Sequence, residues 1–547
     1  MWFRELLKEI DKRNIKNQDE LNRLKSEISK KYKLEKIPTN IEILCCLSRK
    51  EREKYKILRS KPSRTLSGVS VIAVMSKPGK CPHGKCIFCP GGINSVFGNT
   101  PQSYTGEEPA SRRGKRNRYD PYLQVFNRLE QYVLLNQNLE KIELIIMGGT
   151  FLNFNRTYKE KFVMYCFKAL NDFSKEFYGK ELNFEKFKRF FELPGSIKDK
   201  ERGKRIINKI LKLKGKGELE KEKYRNEKGK IRCVGLTVET RSDIGKLREG
   251  NEMLDYGVTR VEIGVQSVYD DILKKVKRGH KVKDTIESFR ILKDLGFKIN
   301  AHYMLGFGRD LQGLKELFRN EDFRPDMLKI YPCMVFRGTE LYEEWKKGKY
   351  KALKTEEAAE IIAEFKKYVP EYCRIMRVQR DIRSDLAEAG VDRTNLRQYV
   401  SEVMKKKGIK CRCIRCREIK DREIKEVKLK VKEYKASKGK EFFISLESED
   451  FIVGFCRLRF PFEELRKEIS DRSGLIRELH VYGESESIKK KGKVQHRGYG
   501  KKLLKKAEEI CRENNKNKVV VISGVGVRGY YRKYGYRKEG VYMSKKL

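Results

Sequence analysis

The chain has 547 residues, too many for one ordinary hydrophobic core, so two or three domains are expected. Its 126 lysines and arginines outnumber 77 acidic residues, and the formal net charge of +49 favours a polyanionic partner such as nucleic acid over a basic one. A highly charged thermophilic surface is the alternative explanation, and no run approaches the ~20 apolar residues that a membrane span needs.

The N-terminal residues do not predict a signal peptide, because no long apolar run follows the first charges. The chain contains 14 cysteines. In a protein that is not exported, clustered cysteines bind metals or react instead of forming disulfides. We therefore expect a cytoplasmic protein without membrane association.

Residues 1–65 are expected to form a basic N-terminal arm. Phe3, Leu6 and Ile10 recur at helical spacing, whereas residues 37–75 look more strand-like and end in a buried strand over 69–75. The arm either binds nucleic acid or is a solvated helical cap, and the residues leave both interpretations open.

Three cysteines then lie within nine residues, at Cys81, Cys86 and Cys89. Their C-x4-C-x2-C spacing allows one loop to hold three irons of a [4Fe–4S] cluster and to leave the fourth iron open for a small molecule. Phe88 would shield such a cluster from water. The alternatives are three unrelated thiols or a zinc site without its fourth ligand, for which His83 is the nearest candidate.

A dense basic run follows the cysteines. Residues 112–118 contain five cations, and Tyr119 comes directly after them. Cations contact phosphates and aromatic rings stack on unpaired bases, so this run favours a nucleic-acid contact. A solvated surface is the alternative.

Short apolar strands next alternate with helices. The predicted strands are Glu143–Met147, Cys233–Glu239, Val261–Gln266, Lys298–Met304 and Met327–Tyr331. This order predicts an α/β fold with a parallel sheet in an open or closed barrel, and ligands of such folds bind at the carboxyl ends of the strands. Gly148, Gly149 and Gln266 lie at such ends. Residues 173–230 are a lysine-rich helical insertion that we expect to be peripheral or mobile.

A second cysteine group comprises Cys411, Cys413 and Cys416, where the alternation stops. Three thiols in six residues favour a structural zinc ion with one remote ligand, for which Cys333 is our candidate. A surface loop with spare thiols is the alternative. We assign residues 371–440 to a linker that carries this site.

From residue 441 the pattern changes to antiparallel strands around one amphipathic helix. Strands are predicted over 441–446, 452–458, 476–482 and 519–523. Before the helix, Gln495, Gly498 and Gly500 form a Q-x-x-G-x-G turn, whose backbone N–H groups and helix dipole can bind a pyrophosphate. A last helix begins near Arg528.

These features together resemble a known family. Residues 81–150 and 231–310 resemble a radical S-adenosylmethionine (SAM) domain, a partial (β/α) barrel that we assign to residues 66–370. Residues 441–547 look like a GNAT acetyltransferase domain of α+β type. With the motifs at 377–381 and 477–483, nearly the whole chain resembles the catalytic subunit of Elongator in a prokaryotic single-chain form. The short gap between the first two cluster cysteines and the Cys411 group differ from the eukaryotic members.

The resemblance implies the ligands and the residues that hold them. Cys81, Cys86 and Cys89 would ligate the [4Fe–4S] cluster, which an electron donor would reduce. SAM would bind near Gly148, Gly149, Thr150, Glu239 and Gln266. Acetyl-CoA would contact Lys141, Glu478, Leu479, His480, Val481, Gln495, Arg497, Gly498, Tyr499, Gly500 and Tyr531. The catalytic candidates are Tyr530, Tyr531 and His480, each of which has a packing role as its alternative; a phenol near the thioester could protonate the leaving thiolate.

The family modifies the wobble uridine of tRNA. The implied reaction uses SAM radical chemistry to remove hydrogen from the acetyl methyl group, adds that carbon to uridine C5 and leaves a carboxymethyl group after thioester hydrolysis. The tRNA anticodon stem-loop would be the partner, and a wobble base must leave its stack to react. The oligomeric state stays open.

Two other functions are compatible with parts of the pattern. The GNAT-like half alone would suit a protein lysine acetyltransferase with a structural iron–sulfur domain, although the net charge is unsuited to basic protein tails. A non-enzymatic tRNA-binding module that senses acetyl-CoA is the third hypothesis. Absence of SAM cleavage under reducing, anaerobic conditions would distinguish it.

Overall fold

The computed structural model describes residues 2–58, 68–149, 151–195, 199–420, 422–482 and 498–547, apart from the side chains of Arg49, Glu53 and Ser384. Two seven-stranded sheets dominate this part of the chain. No helix in these ranges is long and apolar enough to cross a membrane.

The N-terminal segment is a small helical unit with its own core, not an extended arm. Its helices are α1 (Trp2–Lys12), α2 (Gln18–Lys31), α3 (Asn40–Cys46) and α4 (Arg49–Lys54). The predicted strand character of residues 37–58 is therefore wrong. Thr39 with Glu42, and Ser48 with Glu51, form capping boxes that start α3 and α4, a local signal that overrides the strand pattern.

The first sheet is a half-barrel of parallel strands in sequence order. It comprises β1 (Ser70–Met75), β2 (Lys141–Met147), β3 (Arg232–Thr240), β4 (Arg260–Gln266), β5 (Lys298–Leu305), β6 (Met327–Pro332) and β7 (Arg374–Arg377). All predicted strands of this sheet are confirmed. The parallel order brings the carboxyl ends of the strands to one edge, where the cysteine loop begins.

Helices connect and cover these strands. They are α5 (Pro109–Arg116), α6 (Pro121–Leu134), α7 (Arg156–Phe177), α8 (Phe184–Phe190), α9 (Lys200–Lys214), α10 (Leu219–Lys228), α11 (Leu247–Tyr256), α12 (Asp270–Lys275), α13 (Val282–Asp294), α14 (Asp310–Arg319), α15 (Glu340–Lys346), α16 (Thr355–Phe365), α17 (Leu396–Lys406) and α18 (Ile414–Arg417). Proline at N1 and an Asp120 side chain that accepts from the Leu123 N–H start α6, whose apolar side packs on the sheet.

The insertion over residues 173–230 is not peripheral, which corrects the sequence-based expectation. Phe173, Phe177, Phe187 and Phe191 are fully buried in the main core. Helix α10 packs on α7, where Asn226 donates to Asn171 at 2.9 Å. Aromatic residues spaced among many lysines therefore provide the packing that the low-complexity pattern concealed.

The second sheet is mixed and begins earlier than expected. Its strands are β8 (Val427–Ala436), β9 (Gly439–Ser448), β10 (Phe451–Phe460), β11 (Ser473–Val481), β12 (Lys518–Val521), β13 (Arg537–Glu539) and β14 (Tyr542–Lys546), in the order β13-β14-β12-β11-β10-β9-β8. Helices α19 (Tyr499–Glu513) and α20 (Arg528–Arg532) accompany them.

Residues 371–440 are consequently not a simple linker. Strand β7 completes the first sheet and β8 forms an edge of the second. The edge strand β8 is largely exposed, but Val427, Leu429 and Val431 alternate with lysines, a strand signal that the sequence analysis missed.

The two sheets share one hydrophobic core and a buried network of charges. Arg477 on β11 binds Asp326, immediately before β6, at 2.5 and 2.9 Å, and both side chains are almost completely buried. Arg459 on β10 binds Asp294 at the end of α13 at 2.7 Å. These contacts set the two sheets in one relative position.

Candidate active site

The cysteine loop, residues 81–92, follows β1 at the carboxyl edge of the first sheet. Its three thiols have polar neighbours: the Gln102 amide donates to the Cys89 sulfur at 3.0 Å, and a ring nitrogen of His83 lies 3.0 Å from Cys81 and the other 3.3 Å from Cys86. The sulfurs of Cys81, Cys86 and Cys89 do not form a group within 4.8 Å. This separation is too wide for one ion, but it suits a cluster in which each thiolate binds a different iron.

Two guanidinium groups face the cysteine loop. Arg241 follows β3 and Arg278 follows α12, and each places a nitrogen 3.7 Å from a sulfur, of Cys81 and Cys86 respectively. Burial lowers the pKa of His83 to about 4, and the same two cations add to this effect. Positive charge at this position favours thiolates and the anionic cluster that they would carry, so the loop fits a [4Fe–4S] group.

The predicted SAM residues meet at the ends of neighbouring strands. Glu239 accepts a hydrogen bond from the Tyr104 hydroxyl at 2.8 Å and another from the Gly148 N–H at 3.2 Å. Gly148 has φ +110°, and a Cβ there would lie 2.3 Å from the Ser76 hydroxyl, so glycine is required. A Cβ at Gly149 would meet open space. Thr150 lies outside the described residues.

Gln266 ends β4 in an unusual conformation. Its φ is +68°, and its side-chain oxygen is buried without a hydrogen-bond partner in the described part of the chain. Non-glycine residues adopt this conformation at a cost, and a buried acceptor without a partner adds to it. Both observations indicate that a ligand completes the environment of Gln266.

A charged layer inside the half-barrel was missed by the sequence analysis. Glu262 on β4 accepts from Asn300 at 3.1 Å, lies 3.0 Å from His302 and also binds Lys329. Burial alone would raise the pKa of Glu262, but the charge of Lys329 and the His302 hydrogen bond lower it well below its usual value. Charged residues in strands that were predicted to be buried were the available signal.

An interdomain cavity of about 1030 Å³ lies between the two sheets. The first sheet contributes Glu143, Arg260 and Lys298 near the amino ends of its strands, opposite the cysteine loop. The second sheet contributes residues from β11 and α20. One side of the cavity is cationic, with the side chains of Arg397, Lys405, Arg415 and Lys420.

The cations of that side are crowded. Burial and the neighbouring Arg415 lower the pKa of Arg397 to about 10. An anionic ligand would reduce the electrostatic repulsion between these two guanidinium groups.

The predicted acetyl-CoA residues divide into two sets. Glu478, Leu479, His480 and Tyr531 line the interdomain cavity. Tyr530 is not among the lining residues. A Cβ added at Gly500 would lie 2.5 Å from the Tyr530 hydroxyl oxygen. Of the two tyrosines, Tyr531 lines the cavity, whereas Tyr530 lies beside the predicted coenzyme A cradle at Gly500. Val481 follows at the end of β11.

Helix α19 begins at the predicted anion cradle. Gly498 is its N-cap with φ +80°, and no atom lies within 4 Å of the position of a Cβ there. Tyr499 and Gly500 open the helix, where the first backbone N–H groups have no helical partner. Gln495 and Arg497 lie outside the described residues.

Lys141 starts β2 and is absent from the cavity lining. Burial, together with the neighbouring Arg232, lowers the pKa of Lys141. A different lysine of the first sheet, Lys298, lines the cavity instead, and no sequence motif indicated it.

Cys411, Cys413 and Cys416 come together with all three sulfurs within 4.8 Å of one another. Hydrogen bonds from the other two thiols lower the pKa of Cys413, and the Lys366 amine lies 3.5 Å from the Cys416 sulfur. Cys333 does not join them. It is buried in a separate apolar cluster with Cys86 and Cys89, so the proposed fourth zinc ligand is wrong. The spacing identified three thiols but not the remote residue, because remote contacts depend on the fold.

The basic run at residues 112–118 is only partly available to a ligand. Arg113 is buried and donates to the Ala73 carbonyl at 2.6 Å. The run forms the end of α5, and one of its cations thus fixes that helix on β1. The remaining cations can still contact phosphates.

Family models match four consecutive segments of the chain. They are the ELP3 N-terminal domain over residues 1–66, the radical SAM superfamily over 75–320, the radical SAM C-terminal domain over 325–406 and the acetyltransferase (GNAT) family over 414–536. The α/β fold class, a radical SAM half-barrel followed by a GNAT domain, is confirmed.

Named relatives cover nearly the whole length. A protein of Methanocaldococcus infernus called tRNA uridine(34) acetyltransferase is 43% identical over 99% of this chain and 98% of its own length. Human Elongator complex protein 3 is 39% identical over 96% of this chain and 93% of its own. The solved structure of M. infernus Elp3 with an N-terminal deletion matches with a TM-score of 0.71 and 38% identity, over 88% of this chain and 100% of that one.

Proposed function

Because this chain belongs to the radical SAM–GNAT family of Elongator complex protein 3 and the archaeal tRNA uridine(34) acetyltransferases, we propose that it modifies the wobble uridine of tRNA. The modification is a carboxymethyl group on C5, made from the acetyl group of acetyl-CoA. The enzyme is a tRNA carboxymethyluridine synthase that uses SAM and a [4Fe–4S] cluster.

The observation that carries this proposal is the interdomain cavity. Residues predicted to contact acetyl-CoA, such as His480 and Tyr531, share one cavity with Arg260 and Lys298 at the base of the half-barrel. An acetyl group in this cavity would lie between the coenzyme A cradle and the radical site. A protein lysine acetyltransferase has no need for such a connection.

The residues have separable roles in this proposal. Cys81, Cys86 and Cys89 would hold the cluster, and Glu239 with Gly148 would bind SAM. Once bound, the cluster and SAM would supply the radical chemistry that removes a hydrogen atom from the acetyl methyl group. The buried half-barrel would exclude water from that step.

His480 and Tyr531 are suited to the acyl end of the reaction. The His480 Nε2 atom is buried without a partner among the described residues, and burial lowers the pKa of His480, so the ring is neutral and able to accept a proton. Burial raises the pKa of Tyr531, which keeps its hydroxyl protonated as a donor for a leaving thiolate.

Binding of tRNA would use several basic surfaces. The N-terminal helical unit, the exposed cations of α5 and the cationic side of the interdomain cavity can contact phosphates of the anticodon stem-loop. The wobble base would leave its stack and enter between the sheets. An electron donor is a further required partner.

We also propose a structural zinc ion on Cys411, Cys413 and Cys416. Replacing Cys413 with alanine is expected to remove the zinc, because a site with two thiolates binds zinc much more weakly. Metal analysis of the purified chain by mass spectrometry measures the effect. Cys456→Ala is the control, since Cys456 is equally buried in the second sheet. Equal zinc contents in the two variants would refute the assignment.

The function itself is tested by anaerobic incubation of the reconstituted protein with tRNA, SAM, dithionite and acetyl-CoA deuterated in the methyl group. Nucleoside mass spectrometry should show 5-carboxymethyluridine, and the 5′-deoxyadenosine should carry deuterium. Gly498→Glu is expected to reduce the product by about 10²-fold or more, because a carboxylate at the start of α19 repels the pyrophosphate.

Gly348→Glu is a matched control for that variant. Gly348 also has a positive φ, +69°, and no atom within 4 Å of the Cβ position, so it carries the same backbone strain without facing a ligand. It should retain the product. A different outcome would identify the chain as a protein lysine acetyltransferase. In that case the wild-type chain and Gly348→Glu would acetylate lysines and form no new nucleoside, and Gly498→Glu would lose the acetylation.

A further inference from the structure

Glu478 lies at the centre of a group of polar side chains in the interdomain cavity. The Arg457 side chain donates to Glu478 at 2.8 Å and holds it on β11. His480, Tyr531 and Lys298 line the same cavity as Glu478. Lys298 is the one member of this group that comes from the first sheet.

The polar ends of these three side chains have donors or acceptors to offer to a ligand. Among the residues that the structure describes, the side chains of Lys298 and Tyr531 make no hydrogen bond or ion pair, and His480 Nε2 is buried without one. The buried His480 Nε2 atom costs free energy unless a ligand completes it, and the Lys298 amine and Tyr531 hydroxyl line the same cavity as unused donors. Their convergence on one cavity therefore indicates a ligand with an acceptor atom for the amine.

Two other lysines of the first domain have partners. Lys329 binds Glu262, and Lys293 donates to the Phe323 and Arg324 carbonyls at 2.9 and 2.7 Å. Lys298 differs because it lies at the first position of β5, where the strand meets the second sheet. The Lys298 side chain is half-buried and lines the interdomain cavity, so a ligand in the cavity can reach its amine.

We propose that Lys298 donates a hydrogen bond to the carbonyl oxygen of the acyl-CoA thioester. The acyl-binding site is then completed by the half-barrel, and neither sheet forms it alone. This inference rests on the proposed function, in which an acyl thioester enters the interdomain cavity, and it adds a residue to which no motif pointed.

The contact would act during thioester hydrolysis. The oxygen of water bonds to the carbonyl carbon, and the carbon–sulfur bond breaks. The sulfur leaves with one water proton as a thiol, and the second proton passes to solvent from the carboxylic acid. Negative charge develops on the carbonyl oxygen in between, and the Lys298 ammonium group in the cavity stabilises it.

The test compares two probes on the reconstituted full-length protein by anaerobic calorimetry: coenzyme A and the ketone analogue of acetyl-CoA, in which a methylene replaces the sulfur. The wild-type chain should bind the analogue about 10-fold more tightly than coenzyme A, because a charge-assisted hydrogen bond holds the carbonyl. Lys298→Met should lose this difference while its affinity for coenzyme A changes less than about twofold.

Lys283→Met is the matched control. Lys283 is exposed on α13, the helix that leads to β5, and its replacement removes the same charge. The Lys283→Met chain should keep the difference in affinity between the two probes. The Lys298→Arg chain, which retains a cation, should keep part of that difference. In the hydrolysis assay, Lys298→Met should lower kcat by about 10²-fold, with a smaller change in KM.

Retention of the full difference by Lys298→Met, or equal affinities of the wild-type chain for both probes, would overturn the inference. Thermal unfolding of each variant reports whether it is folded. If the wild-type chain binds the analogue more tightly but makes no modified nucleoside, the proposed function fails and the assignment of Lys298 stands. Failure of wild-type coenzyme A binding would refute both.

Discussion

Replacing Cys86 with alanine is expected to abolish formation of the modified nucleoside while binding of coenzyme A is retained. Only three thiols of the cysteine loop are available, and the remaining two cannot hold a [4Fe–4S] cluster with one open iron. The coenzyme A cradle begins at Gly498, in the other domain, and does not involve this loop. Iron content and visible absorbance measure the cluster, nucleoside mass spectrometry measures the product, and calorimetry measures coenzyme A binding.

A second cysteine provides the control for this prediction. Cys166 is fully buried in α7, within the apolar core and outside the cysteine loop. Cys166→Ala should cost about 1 kcal/mol of stability through a small cavity and should keep both iron and product. A Cys86→Ala protein that retains its iron would show that the loop does not carry the cluster.

Replacing Asp326 with asparagine is expected to reduce the free energy of unfolding by about 3–5 kcal/mol, the cost of breaking a buried ion pair by removing one charge. Asp326 is 1% exposed and faces Arg477 and Arg457, both in the second sheet. Without its carboxylate, two buried guanidinium groups lose their common counter-charge. Urea unfolding followed by circular dichroism measures the change, provided that the transition is cooperative.

The Asp326 carboxylate also predicts that the free energy of unfolding depends on pH in the acid range. Burial alone would raise the pKa of Asp326, but Arg477 and Arg457 lower it well below the usual value. The unfolded chain therefore binds the proton first, and this contribution to stability is present above about pH 4 and is lost as the pH falls below it. Asp326→Asn should lack that part of the acid dependence.

An exposed ion pair is the control for Asp326. Glu9 binds Arg13 at 2.8 Å on the surface of the N-terminal helical unit. Glu9→Gln should change the free energy of unfolding by less than about 1 kcal/mol. Similar losses in the two variants would show that the interdomain charges do not hold the sheets together.

The elements of both domains were largely predictable from local patterns. Six strands of the half-barrel and four of the second sheet follow apolar runs of the sequence, and the C-x4-C-x2-C spacing marked the cysteine loop. Local signals were missed where lysines dominate. The edge strand β8 alternates Val427, Leu429 and Val431 with lysines, and the buried phenylalanines of the insertion were hidden among lysines.

The site was predictable where one motif supplied its residues and not where distant strands meet. Cys81, Cys86 and Cys89 lie on one loop, and Gly498 with Gly500 lies on one turn. Lys298, Glu262 and Lys329 are isolated charged residues in apolar strands, and although their position in such strands was a signal, no motif showed which residues they would meet. Cys333 was misassigned for the same reason, since the thiol count could not show which cysteines become neighbours.

By itself the sequence determined the order of the two domains, their secondary structure and the chemistry of each local motif, because these depend on periodicity, capping and residue spacing within a short stretch. Only the tertiary structure decided that the domains share one core, that a buried Asp326–Arg477 pair joins them, and that Lys298 meets His480 and Tyr531 in one cavity. Such contacts join residues more than a hundred positions apart, so packing and charge pairing in the folded chain determine them.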